Sequence, residues 1–135
     1  MLVLAALENA ITQENAEGVR SALILEIANG PISPEADLIL SDCNIEILPD
    51  VLVNSGGVIV SYLEWVQNRS GDYWAEEAVE HRLAERLDRE AKSCFQLADD
   101  EGVSMRIAAY MQGIGRIAQA MDHRGTQDFF NSASS

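Results

Sequence analysis

Lysine is nearly absent from this 135-residue sequence, which has Lys92 and eight arginines against 22 acidic residues, a formal net charge of -13. Such a charge repels phosphate backbones and anionic lipid, which argues against nucleic-acid or membrane-surface binding. No apolar run reaches the roughly 18 residues that a membrane-spanning helix needs. The first residues carry neither basic charge nor a cleavage-site pattern, so we expect no signal peptide and a cytoplasmic protein.

Cysteine and histidine are also scarce, with two residues of each. Cys43 and Cys94 lie far apart in apolar stretches, which predicts two buried free thiols in a reducing compartment. His81 and His123 have no Asp, Cys or Ser at catalytic or metal-ligand spacing, so we expect both at the surface. The sequence has no P-loop, metal signature or serine-hydrolase elbow, and it therefore predicts no metal site and no catalytic residue of its own.

The first half alternates short apolar runs with short helical segments. This rhythm predicts an α/β fold with parallel strands joined by right-handed crossovers. Ser33 followed by Pro34 is typical of a helix start, because a capping hydroxyl precedes a proline at the first helical position. The predicted strands cover 2–7, 22–27 and 45–48, and the predicted helices cover 13–19, capped by Thr12, and 34–42.

The second half predicts three helices, over 58–67, over 74–100 and from Ser104 onward, the last ending near Gly125. The long middle helix combines an apolar stripe with a charged face, which we interpret as a solvated surface of ion pairs. Apolar residues recur at helical spacing in the last helix as well, so we expect this stripe in the core: Ile107, Met111, Ile114, Ile117 or Ala118, and Met121.

The segment Asn54-Ser55-Gly56-Gly57 lies between a strand end and a helix start, where ligands bind in parallel sheets. Paired glycines allow a ligand to approach the backbone closely, and amides at a helix start favour an anionic group. A tight turn that requires positive backbone angles explains the same glycines. Spacing alone leaves both interpretations open.

Several stretches resemble the Glu/Leu/Phe/Val dehydrogenase family, and glutamate dehydrogenases in particular. The middle stretch, NSGGVIVSYLEW at 54–65, is long enough to be highly specific. The resemblance spans about residues 1–125, and its other parts are AALENAIT at 5–12, EIANGP at 26–31 with PEAD at 34–37, Pro49-Asp50, RIAAY at 106–110 and RIA at 116–118.

The resemblance implies a C-terminal portion of an NAD(P)-dependent glutamate dehydrogenase. That enzyme oxidatively deaminates L-glutamate to 2-oxoglutarate and ammonia, reversibly, and works as a homo-oligomer. Residues 1–68 would be the second half of a Rossmann-like dinucleotide-binding domain, with parallel strands and helices. Residues 69–125 would be C-terminal helices that pack on it, and 126–135 a disordered tail.

The resemblance also implies four site residues. Asn29 matches the asparagine that approaches the nicotinamide ribose, and Asn54 matches the one near the nicotinamide amide. Ser61 matches the serine that bonds the side-chain carboxylate of glutamate, and Val58 matches a residue lining that pocket. Neutral amides can bond a carboxamide without burying a charge. Two positions depart from the family: Ile27 replaces the usual glycine beside the coenzyme, and Ser55 replaces alanine.

The family's Gly-rich phosphate fingerprint and its substrate domain, with the catalytic lysines and aspartate, correspond to nothing in this sequence. We therefore expect the chain alone to be inactive. A non-catalytic binding or assembly module is the alternative, and a fragment of a leucine- or phenylalanine-type dehydrogenase is another, although such enzymes generally lack the continuation at 61–65. The choice between NAD and NADP stays open, because it depends on residues after an earlier strand.

Overall fold

A computed structural model describes residues 1–123 of the chain. Its three strands are β1 (Leu2–Leu4), β2 (Leu23–Glu26) and β3 (Glu46–Leu48), which pair in parallel in the order β1-β2-β3. The predicted α/β class with parallel strands is confirmed. Since the strands are parallel, their carboxyl ends meet at one edge of the sheet. The helix stop predicted at Gly125 and the disordered tail predicted over 126–135 lie outside the described residues.

The first crossover differs from the prediction of a helix over 13–19. Only a single 3-10 turn forms, at Ala16–Gly18, and Thr12 does not cap it. Instead the Asn15 side-chain oxygen accepts a hydrogen bond from the backbone amide of Thr12 at 2.9 Å. This bond is of the kind that caps a helix start, but Gly18 and Val19 are weak helix formers and the backbone becomes extended at Val19, with a ψ of 129°, so no longer helix forms.

The second crossover contains helix α1 (Pro34–Asp42), which begins as predicted. The Ser33 hydroxyl accepts a hydrogen bond from the Ala36 amide at 3.3 Å, and Pro34 occupies the first turn. This helix covers one face of the sheet. The core that results consists of buried apolar residues from the sheet, α1 and both crossovers: Ile11, Ala16, Ile24, Ile32, Ala36 and Leu40.

Four further helices follow β3: α2 (Asp50–Val53), α3 (Gly56–Ser70), α4 (Glu76–Glu101) and α5 (Met105–His123). The single turn of α2 replaces part of the predicted loop. Helix α3 runs three residues further than predicted and ends at Gly71, whose φ of 70° stops the helix. The Ser104 hydroxyl caps α5 as expected, accepting from the Ile107 amide at 3.3 Å.

The burial of α5 contradicts the sequence analysis. The stripe that was predicted to lie in the core, from Ile107 to Met121, is 41% to 63% exposed at its isoleucines and methionines. Met105 and Ala108 are buried instead, against Cys94 and Ala98 of α4. Small side chains let two helices approach closely, so the alanine side of α5 packs and the larger residues face outward.

The two cysteines differ in burial. Cys94 is buried, as predicted, and burial raises the pKa of its thiol. Cys43 is exposed, which contradicts the prediction, because it caps the C-terminal end of α1 at the surface. No helix among residues 1–123 is both long and apolar enough to cross a membrane.

Candidate functional site

An open cleft of about 790 Å³ lies at the carboxyl edge of the sheet. Three segments line it: residues 5–8 after β1, residues 27–29 after β2, and a third comprising Asn54 and the first turns of α3. The structure brings all four residues that the sequence analysis singled out, Asn29, Asn54, Val58 and Ser61, to this one cleft. Parallel topology accounts for this, since it places the loops that follow successive strands side by side.

The two asparagines form a pair in the cleft. The Asn54 side-chain amide donates to the Asn29 side-chain oxygen at 2.6 Å and to the Ile27 carbonyl at 3.3 Å. No described residue bonds the remaining oxygen of Asn54 or the nitrogen of Asn29. The pair therefore offers one acceptor and one donor, both neutral, and this set suits a carboxamide or a hydroxyl group.

Helix α3 forms the opposite wall. Val58 and Ser61 are three residues apart, so they share one face of the helix, and both are exposed. The hydroxyls of Ser55 and Ser70 donate to carbonyls of the preceding turn, at Leu52 and Gln67. The Ser61 hydroxyl makes no such bond among the described residues, so it remains available to a ligand.

The glycines at the start of α3 leave room and do not make a turn. Neither Gly56 nor Gly57 has a positive φ, so the alternative of a strained turn is wrong. A side-chain carbon at Gly56 would come within 3.8 Å of Leu83 and Leu87 of α4, and Gly57 lines the cleft. Gly30 is different: its φ of 54° makes the turn after Asn29 a position that favours glycine.

Ile27 lines the cleft and is 45% exposed. Ile27 adjoins the asparagine pair, because its backbone carbonyl accepts one of the Asn54 hydrogen bonds. The residue that the sequence analysis flagged as a departure thus takes up space in the cleft itself.

Two parts of this site were not predicted from the sequence. Residues 5–8 line the cleft after β1, and Glu8 is the only charged side chain among the lining residues. The carboxyl end of the first predicted strand was the available signal. Glu26 was not predicted either. It is a fully buried acid at the end of β2 and forms an ion pair with Arg106 of α5. An acid within an otherwise apolar strand was the signal there.

The charged face of α4 lies away from the cleft. Lys92 bonds Asp88 at 2.7 Å on the surface, as the ion-pair interpretation predicted, and His81 is exposed as well. Glu90 is the exception, since it turns towards Gln112 and Arg116 of α5. Burial there opposes its charge, yet Arg116 and Arg89 lower the pKa of Glu90. In residues 1–123, no three His, Cys, Asp or Glu side chains gather as metal ligands.

The sequence is similar to known proteins over nearly its whole length. The family model described as Glutamate/Leucine/Phenylalanine/Valine dehydrogenase matches residues 1–125. An NADP-specific glutamate dehydrogenase of Synechocystis is 47% identical over 133 residues, which cover 98% of this chain and 31% of that protein. A cryptic catabolic NAD-specific glutamate dehydrogenase of Bacillus subtilis is 46% identical, covering 93% of this chain and 29% of that protein.

The fold is similar to that of solved glutamate dehydrogenases. The hetero-hexameric glutamate dehydrogenase of Thermus thermophilus, in a Leu-bound form, superposes with a TM-score of 0.87 and 34% identity. The match covers 92% of this chain and 30% of that one. This chain therefore spans somewhat less than a third of the length of the relatives that it matches.

Proposed function

Because the chain belongs to the Glutamate/Leucine/Phenylalanine/Valine dehydrogenase family, we propose that it is the C-terminal portion of an NAD(P)-dependent glutamate dehydrogenase. The reaction is the reversible oxidative deamination of L-glutamate to 2-oxoglutarate and ammonia. The observation that carries the proposal is the convergence of Asn29, Asn54, Val58 and Ser61 on one cleft. In this proposal, residues 1–68 are the second half of a Rossmann-like domain and 69–125 are helices that pack on it.

The asparagine pair is the proposed coenzyme contact. Asn54 keeps a free acceptor and Asn29 a free donor, which fit the nicotinamide carboxamide and the neighbouring ribose hydroxyls. Since the two side chains bond each other at 2.6 Å, neither needs to find a new partner when the coenzyme enters. The bound coenzyme supplies the hydride chemistry, and these residues orient it.

Val58 and Ser61 form the proposed substrate wall. The hydroxyl of Ser61 donates to the side-chain carboxylate of glutamate, and Val58 contacts the methylene groups. Both lie on α3, which packs against α4 and begins two residues after Asn54, so a short segment of chain joins the coenzyme contact to the substrate contacts. This arrangement favours hydride passage between the nicotinamide and the substrate Cα.

The remaining parts of the proposal follow from the relatives. They carry either NADP or NAD specificity in their names, so the coenzyme is NAD or NADP. One related structure is a hetero-hexamer, which supports an oligomer of this protein as well, and we propose a homo-oligomer in the cytoplasm. The second candidate function, a non-catalytic assembly module, is favoured by one observation, the exposed apolar stripe of α5.

The coenzyme proposal is tested in a reconstructed enzyme, made by replacing the matching segment of the Synechocystis relative with residues 1–125. We expect Asn54→Ala to weaken coenzyme binding roughly 5- to 13-fold, which is the value of about 1 to 1.5 kcal/mol for one hydrogen bond. Fluorescence titration with NADH and NADPH measures it. The matched control is Asn68→Ala on the far end of α3. Equal affinities in the two variants would favour the assembly module.

Ile27 allows a test in the opposite direction. In the reconstructed enzyme, Ile27→Gly is expected to tighten coenzyme binding by about 1 kcal/mol, or roughly fivefold, because it removes a side chain that fills part of the cleft. The same titration applies. If the affinity for the coenzyme is unchanged or weaker, the local backbone already accommodates the isoleucine. The side chain then does not hinder coenzyme binding.

A further inference from the structure

A cluster of buried charge lies directly beneath the cleft. Glu26, at the end of β2, has no exposed surface, and a carboxylate in that position is stable only when it is paired and hydrogen-bonded. Arg106 supplies the pairing from α5, 80 residues later, with Nη2 donating to Oε1 at 2.9 Å and Nη1 donating to Oε2 at 3.0 Å. This is the two-pronged geometry that a guanidinium gives and an ammonium does not.

The same guanidinium reaches two further acids. Its Nη2 donates to Asp37 of α1 at 3.0 Å, and its Nη1 lies 3.7 Å from Asp50 of α2. Burial opposes the charge, yet hydrogen bonds to Glu26 and Asp37 raise the pKa of Arg106 above its usual range. One permanent cation thus holds three acids that belong to a strand and two helices.

From this cluster, hydrogen bonds lead to both asparagines of the cleft. The Asp50 amide donates to Glu26 at 2.9 Å, and the Asp50 carboxylate accepts from the Gly30 amide at 2.8 Å. Gly30 is the neighbour of Asn29. The Asn54 amide donates to the Asp50 carbonyl at 2.9 Å. The backbones that carry Asn29 and Asn54 are therefore each one hydrogen bond from Asp50, and Asp50 is one from Glu26.

We propose that Arg106 is a positioning residue for the Asn29–Asn54 pair and fixes it through Glu26 and Asp50. The inference rests on the proposed function, in which that pair contacts the coenzyme. Arg106 itself lines a different cavity and is absent from the lining of the cleft, so its effect is indirect. It also gives the RIAAY segment, which the sequence analysis associated with no site, a role in the cleft.

Arg106→Lys breaks the path with the least disturbance, because it keeps the charge and loses the two-pronged bond to Glu26. With Glu26 freed on one side, Asp50 and the turn at Gly30 lose their fixed position. The matched control is Arg116→Lys, also on α5, where the arginine pairs with Glu90 and both residues are absent from the lining of the cleft. Both variants are made in the reconstructed enzyme.

The first measurement is amide hydrogen exchange followed by mass spectrometry, without coenzyme. We expect Arg106→Lys to accelerate exchange in peptides that contain Gly30 and Asp50 while peptides from α4 stay unchanged, and Arg116→Lys to have no effect there. The second measurement is coenzyme titration, where we expect weaker binding for Arg106→Lys only, by about the 5- to 13-fold predicted for Asn54→Ala, because Arg106 acts on the coenzyme only through the asparagine pair.

The outcomes separate this inference from the proposed function. Unchanged exchange at Gly30 and Asp50 overturns the inference, whatever the coenzyme does. Faster exchange with unchanged coenzyme binding also overturns it, provided that Asn54→Ala weakens binding. If Asn54→Ala has no effect, the proposed function fails by itself. Should Arg106→Lys not fold, Asp50→Ala breaks the path one bond later, and unaltered exchange at Gly30 in that variant contradicts the inference.

Discussion

Replacing Ser61 with alanine in the reconstructed enzyme is expected to lower kcat/KM for L-glutamate by about 10- to 150-fold. A hydrogen bond from a hydroxyl to an ionised carboxylate contributes roughly 1.5 to 3 kcal/mol. The expected fold-change is the ratio of kcat/KM values that corresponds to this energy. The structure supports this role because the Ser61 side chain faces the cleft and bonds no carbonyl of its own helix within the described residues.

Norvaline provides the decisive comparison, because it has a side chain similar to that of glutamate without the carboxylate. We expect Ser61→Ala to leave kcat/KM for norvaline nearly unchanged. Ser55→Ala is the matched control, since the Ser55 hydroxyl bonds the Leu52 carbonyl and lies outside the lining of the cleft. If kcat/KM falls equally for both substrates, Ser61 contributes to the stability of α3 and not to recognition of the carboxylate. If kcat/KM for glutamate does not fall, Ser61 does not bind the substrate.

A preparation of these 135 residues alone is expected to show no glutamate-dependent reduction of NAD or NADP. The lining of the cleft contains neutral amides, a hydroxyl, apolar side chains and the exposed Glu8. None of these is a lysine or an aspartate of the kind that would move protons while the imine of the substrate forms and is hydrolysed. The resemblance places the catalytic lysines, the aspartate and the phosphate-binding turn in the part of the relatives that this chain does not match.

The measurement is a steady-state assay at high protein concentration, with absorbance followed at the wavelength of the reduced coenzyme. The reconstructed enzyme, purified in the same way, shows that the assay detects turnover. A mock purification from the same host accounts for contaminating dehydrogenase. Turnover that survives this control and scales with the amount of chain would contradict the prediction and would require a catalytic group within these residues.

Local signals in the sequence were sufficient for much of the fold. The start of α1 followed from Ser33 and Pro34, and the capping bond to Ala36 is present. Parallel strands followed from short apolar runs separated by helical segments. These features depend on neighbours in the chain, so the sequence contains the information directly. The single turn at Ala16–Gly18 was not predicted, because the start signal at Thr12 does not indicate how far a helix continues, and the backbone becomes extended at Val19.

The four site residues came from the resemblance: Asn54, Val58 and Ser61 from the whole segment at 54–65, and Asn29 from the segment at 26–31. Spacing left the role of Gly56 and Gly57 open between a ligand approach and a strained turn. The backbone angles exclude the strained turn, because neither glycine has a positive φ, and the approach of a ligand stays a prediction. A dipeptide does not contain that information.

By itself, the sequence determined the class of fold, the family and four of the residues that meet at the carboxyl edge of the sheet, Asn29, Asn54, Val58 and Ser61. Only the tertiary structure decided which face of α5 is buried and what holds the asparagine pair in place. Both depend on contacts between distant segments: Ala108 packs against Cys94 and Ala98 of α4, and Arg106 reaches Glu26 across 80 residues. A periodic stripe shows that a helix has an apolar face, but which face is buried depends on the shape of the surface it meets.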